Sequence, residues 1–290
     1  MAVQTNIRGV NPLAGLMRQP KIYIKLPSGG QYWPQGSIVI PENGDLPVYS
    51  MTAKDELLLK IPDALMNGQA IVEVIQNCIP SIKNGWAIPN IDLDVILIAI
   101  RIATYGEKMK VPLDNKNLLD VDYEVDLRNI MADLVGQINW DPVVPVNADL
   151  TIFVKPITYK LITDGAMQSF ETQKIIQIAN NSDLEEKEKV KMFKESFDKL
   201  NLLSIGIVNN SVYEIQSSQG STKDPAYIKE FMENVDKGVF DAVKAHLEKM
   251  KDQNTIKPLQ IQPTAAMLAA GYADEIIEVP LVFDASTFFV

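Results

Sequence analysis

The sequence predicts an α+β fold with short N-terminal strands, two helical blocks, and a mixed sheet that includes residues 150–162 and the C-terminal strand. Three observations carry this reading. Runs of alternating polarity occur early, as in Ile22, Ile24 and Leu26 set between Tyr23 and Lys25, and again where Val121, Tyr123 and Val125 alternate with Asp122 and Glu124. Helical start signals and periodicity mark the stretch from Thr52 to Tyr105 and recur through residues 165–252. Strand-like residues then return in 150–162 and 276–284. With 47% hydrophobic and 22% charged residues, the 290-residue chain has the material for a sizeable core and is not a mostly disordered one.

Residues 1–20 carry Asn6, Gly9, Asn11, Pro12, Gly15 and Pro20 with little periodicity, so they read as an extended arm, frayed or held by a partner. Asn11, Pro12 and Leu16 are its candidate partner contacts. From Lys21, two short strands flank the turn Ser28-Gly29-Gly30, the second at Ser37–Ile40. No Gly-Lys-Ser/Thr comes after the glycines and no helix begins there, which argues against a phosphate loop. Thr52 and Asp55 form a helix-start signature, and Pro62, Gly68 and Pro80 divide the chain beyond it into short helices. Ile71, Val74, Ile75 and Cys78 share one helical face, which makes Cys78 a small core residue.

Asn90, Asp92 and Asp94 open a helix that runs to Tyr105 and stops at Gly106. It is apolar on every side from Val95 to Ile102 except at Arg101, which needs a carboxylate or a route to solvent. Residues 110–120 read as a loop, 121–125 as a strand, and 127–135 as a helix ending near Gly136. Pro156 separates strand material at 150–155 from more at 157–162.

In the helical block 165–252, Phe170, Ile175, Ile176, Ile178 and Ala179 mark one apolar side. Ser182 and Glu185 form a capping box for a helix with the stripe Val190, Phe193, Phe197 and Leu200. A third helix starts at Asp224-Pro225 and carries Ile228, Phe231, Met232, Val235, Val239, Val243, His246 and Met250. The expected organisation is therefore an arm (1–20), an α/β part (21–164), the helical block (165–252), and a C-terminal strand (253–290) returning to the sheet. The final Phe288, Phe289 and Val290 should pack on the fold or into a neighbour, and they complete the candidate contacts.

One cysteine and one histidine exclude an intrachain disulfide, a Cys/His zinc site and a paired-histidine metal site. Twenty-seven Lys and Arg against 37 Asp and Glu give −10, which argues against nucleic acid and anionic membrane as partners. The apolar run Val95–Ile100 is too short to span a bilayer. Residues 1–18 show no secretory pattern, so cytoplasmic synthesis is expected, and the motifs at Asn180 and Asn209 are chance glycosylation matches. No Gly-x-Ser-x-Gly elbow or dinucleotide fingerprint is present. His246 lies on an apolar stripe without an acid to orient it, and Asp122, Glu124 and Asp126 lack the rest of a calcium loop. The expectation is a protein that is not an enzyme and carries neither cofactor nor metal.

Several ordered segments carry a family resemblance. Ile24-Lys25-Leu26-Pro27-Ser28-Gly29-Gly30, Met51-Thr52-Ala53-Lys54-Asp55-Glu56, and Ile91-Asp92-Leu93-Asp94 leading to Ala103-Thr104-Tyr105-Gly106 are the first three. Tyr123-Glu124-Val125-Asp126-Leu127, Lys155-Pro156-Ile157-Thr158-Tyr159 and Phe283-Asp284-Ala285-Ser286-Thr287-Phe288-Phe289 continue in the same order. Together they resemble the baseplate hub subunits of T-even-like contractile-tailed bacteriophages. The resemblance implies a structural hub component of the virion tail, assembled in the host cytoplasm, with other tail and baseplate proteins and copies of itself as partners. Alternatives are an assembly factor that does not remain in the virion, and a carboxylate-dependent cell-wall hydrolase. Members of this family often carry Cys-x-x-Cys pairs where this chain has Val111–Asp114 and Met267–Tyr272. The resemblance therefore implies a lost metal site whose loops are joined by packing of Met267, Leu268 and Tyr272.

Overall fold

The computed structural model describes residues 17–113, 121–181, 185–269, 271–279 and 288–289. The architecture is α+β, with small sheets set among helices. β1 (Pro20–Ile24) pairs antiparallel with β2 (Leu46–Tyr49), placing Ile24 opposite Leu46. Between them the chain turns at Gly29 and Gly30, both at positive φ, where a side chain at Gly30 would collide with Ile40. Ser37–Ile40 does not form the expected second strand. The neighbouring chain at 79–83 is itself a turn, so only an isolated bridge from Ile38 to Ile82 forms.

α1 (Ala53–Leu58) begins as predicted: the Asp55 amide donates to Thr52 Oγ1 and the Thr52 amide donates to the Asp55 carboxylate. α2 (Pro62–Met66) uses Pro62 in its first turn, and α3 (Gln69–Cys78) buries Ala70, Ile71, Val74, Ile75 and Cys78. α4 (Asn90–Tyr105) is buried nearly all round. Lys108–Leu113 is a strand, β3, rather than a loop, because it pairs along its length with β4 (Val121–Asp126) and buries Val111 and Val125. Asp126 then caps α5 (Leu127–Gln137) by accepting the Arg128 amide.

The first hydrophobic core draws on both ends of the chain. Ile24, Leu46, Ile75, Ile96, Ile100 and Leu127 are joined in it by Ile261, Met267, Tyr272, Val279, Phe288 and Phe289. The later group comes from β9 (Leu259–Ile261), α10 (Ala265–Ala269), β10 (Ile277–Val279) and the residues around them. β10 pairs antiparallel with β9 and not with residues 150–162. That expectation fails because β6 (Leu150–Val154) already has β5 (Val143–Asn147) on one edge and β7 (Val212–Ser217) on the other. With β8 (Gly220–Thr222) beside β7, this sheet is antiparallel throughout, not mixed.

Residues 157–162 also depart from strand. Thr158 makes one bridge to Pro89, Asn90 donates to the Ile157 carbonyl, and from Tyr159 the chain is helical. α6 (Tyr159–Asn181) and α7 (Glu186–Ser211) form a hairpin, about 39 Å along α7 at the usual helical rise. Its base is clamped to the first core, where the Tyr159 ring stacks on Trp86 with centroids 5.8 Å apart.

The helical block is interrupted by β7 and β8. Its third predicted helix divides at Val235, an extended residue, into α8 (Pro225–Asn234) and α9 (Lys237–Gln253). Val144, Ile152, Val154, Val208, Val212, Ile215, Ile228, Met232 and Val243 make a second core under the four-stranded sheet.

Candidate partner-docking surfaces

Asn11, Pro12 and Leu16 of the arm lie outside the described residues. Just ahead of β1, the Arg18 guanidinium donates to the carbonyls of Ser50 and Asn77 and lies 3.7 Å from the Asp55 carboxylate. Asp55 is buried and also accepts from the Asn77 side chain at 2.8 Å. Burial pushes its carboxyl up, but bonds from Thr52 and Asn77 and the Arg18 charge outweigh this and hold it below the usual range. Arg18 is therefore a fixed point just ahead of β1.

Phe288 and Phe289 are 3% and 4% exposed. Of the two places open to them, they take the fold itself, packed edge to face with centroids 5.1 Å apart. Val290 lies outside the described residues. Arg101 sits 5.0 Å from the Tyr105 ring centroid and 5.8 Å from that of Phe288. Its Nε and Nη1 have no hydrogen-bond partner among the described residues; of the carboxylate or route to solvent that the sequence called for, the half-buried side chain has partial access to solvent, flanked by two aromatic faces.

Beneath the Gly29–Gly30 turn, fully buried Asp92 accepts from the Ser28 amide at 2.8 Å, the Ser28 hydroxyl at 2.5 Å and Trp33 Nε1 at 2.7 Å. Burial pushes this carboxyl up, and the three donors draw it back only in part. Every donor is a structural neighbour, so Asp92 pins the turn. Cys78 is likewise buried, which pushes its thiol up to about 12 and leaves it protonated at neutral pH. His246 Nε2 donates to the Asp141 carbonyl at 2.9 Å, a structural bond. Glu124 pairs with Lys108 at 2.6 Å and Asp126 with Arg128 at 2.8 Å, so strand β4 spends these acids on cations. A shallow depression on α9, lined by Glu248, Lys249, Asp252 and Lys257, sets no nucleophile beside a base.

Val111 and Met267–Tyr272, where the resemblance implied a lost metal site, offer no thiolate or imidazole. Met267 and Tyr272 are buried in the same core as Val111, while Leu268 is exposed. No group of three metal-ligating side chains occurs among the described residues, and no described helix is long and apolar enough to cross a membrane.

The surface that sequence reasoning missed is on the hairpin. Phe170 and Phe197, assigned to apolar stripes, are 51% and 54% exposed, and Met167, Ile178, Val190, Leu202 and Ile205 are exposed with them. Ile175, Ile176, Phe193 and Leu200 from the same stripes are only half-buried. The readable signal was width: each helix carries more apolar positions than a single partner helix can cover.

An α+β chain that projects so much apolar surface on one helical pair is of the class that other protein surface covers. The family model described as T4 bacteriophage base plate protein matches residues 19–260, and the chain belongs to that family. Membership implies a structural component of a phage tail baseplate, with other tail proteins as its partners. No curated protein and no solved structure matches the chain.

Proposed function

We propose that the chain is a subunit of the central hub of a contractile-tail baseplate, built in the host cytoplasm and acting through protein contacts during tail assembly. The family match from the root of the arm to β9 is the observation that carries this reading, and the ordered hub-like segments support its finer part. The arm, with Asn11, Pro12 and Leu16, orders against neighbouring tail proteins from its root at Arg18. The chain end contributes through Val290, anchored by the buried Phe288 and Phe289. Ordering an arm on a partner costs conformational entropy that burial of apolar surface offsets.

Mass spectrometry of purified particles tests the assignment. A fixed stoichiometry in the virion is expected, whereas its absence from tails that nevertheless require it would make the chain an assembly factor. Removing residues 1–16 should leave folding intact and block tail assembly; normal tails without them would refute docking through the arm.

A further inference from the structure

We propose that the α6–α7 hairpin joins copies of this chain head to tail, the outer face of α6 in one copy packing on the outer face of α7 in the next. The inference is independent of where in the baseplate the chain sits. It starts from the two sides of the hairpin. On α6, buried Thr172 and half-buried Gln168, Ile175 and Ile176 turn towards α7, and Leu203 of α7 lies beside Gly165. Met167, Phe170 and Ile178 lie roughly half a turn away from that line. On α7, buried Ser196 and half-buried Phe193, Leu200 and Leu203 face inward, while Val190, Phe197, Leu202 and Ile205 lie about a quarter to half a turn round. The exposed apolar sets are therefore on opposite sides of one hairpin.

That placement selects the symmetry. A two-fold contact uses the same patch on both copies, so it would cover one set and leave the other in water. A head-to-tail contact covers one of each kind at every junction.

Area and charge fit a second copy as the occupant. Seven side chains, each around half exposed, offer on the order of 600 Å² of apolar surface to one junction. With a typical apolar share, the whole contact reaches about 1,000 Å², the size at which specific interfaces begin. Residues 159–211 hold seven lysines against eight acids, so most of the chain's −10 lies outside the hairpin. Copies that repel elsewhere meet here on a nearly neutral surface.

Sedimentation velocity on the full chain tests this with two variants, Phe170→Glu and Phe197→Glu. Both positions are more than half exposed, and far-UV circular dichroism should show native folding; Met167→Glu and Val190→Glu provide a second pair. Wild type should form concentration-dependent species larger than a monomer. Each variant alone should be a monomer, having lost one of its two faces. An equimolar mixture should give a dimer and nothing larger, because each variant retains the face its partner lacks. A monomeric wild type, a single variant that still dimerises alone, or an oligomer unaffected by either substitution would overturn the proposal.

Discussion

Asn254 accepts the amide N–H of Asn139 on its side-chain oxygen at 3.0 Å and returns its own side-chain N–H to the Asn139 carbonyl at 3.3 Å. The two residues are 115 positions apart, and between them lie the four-stranded sheet, the hairpin and the second core. The chain thus leaves the first core and returns to it side by side at this hydrogen-bonded neck, touching it once more in between at Ile157–Tyr159.

Asn254→Ala should loosen that neck. It removes both cross-chain bonds and a third from the same side-chain nitrogen to the Met250 carbonyl at 2.8 Å. In this partly exposed setting the expected cost is about 1–2 kcal/mol. Urea unfolding followed through Trp140, adjacent to the neck, should shift to a lower midpoint.

Asp94 gives the fold a pH dependence. It is half-buried, and burial pushes its carboxyl up to about 6. The folded chain then holds the proton more tightly than the unfolded chain. The stabilisation is full below the ordinary carboxyl value and is lost as pH rises through about 6. Asp94→Asn should raise stability at pH 8 by about 1–3 kcal/mol and flatten the change between pH 5 and 8. Thermal melts of both proteins across that range measure it.

Tyr105 ties down the end of the chain by donating its hydroxyl to the Phe289 carbonyl at 2.9 Å, across 184 positions. Tyr105→Phe should cost about 1 kcal/mol and increase amide exchange at Phe288 and Phe289.

Arg101→Met keeps an apolar stem while removing two unpartnered donors, so loss of the ring contacts and relief of the donors should nearly cancel. Calorimetry should find a change within about 1 kcal/mol.

Cys78 should ignore thiol reagents in the native chain at pH 8, since burial holds its titration near 12. Its labelling rate in mild denaturant should track the opening of the first core. Rapid modification without denaturant would contradict the burial.

Local signals made much of this fold legible. The Thr52 and Asp55 cap, the 90–105 helix and the Asp224-Pro225 start each depend on neighbours a few positions away, and all three form where the residues place them. Pairing across distance was not legible. Residues 110–113 read as polar loop because their β character comes from Val121–Asp126 opposite them. Ile277–Val279 resembles a strand in isolation, but nothing local tells it to choose Leu259–Ile261 over Leu150–Val154. Of the docking residues, Phe288 and Phe289 were recognised as apolar ends needing cover, yet only the fold shows that Tyr105 and Arg101 lie there. The hairpin face stayed hidden because periodicity identifies an apolar stripe and cannot say whether a partner occupies it.

The clamp at Trp86 and Tyr159 makes the hairpin a lever. With a rod of about 39 Å beyond it, a 10° turn at the base would carry the tip roughly 7 Å. That is wider than one helical turn, produced by a shift at the stacked rings of about the size that side-chain repacking allows. Whatever grips the tip would feel small rearrangements of the first core as strokes, and a pull on the tip would return to those rings multiplied in force.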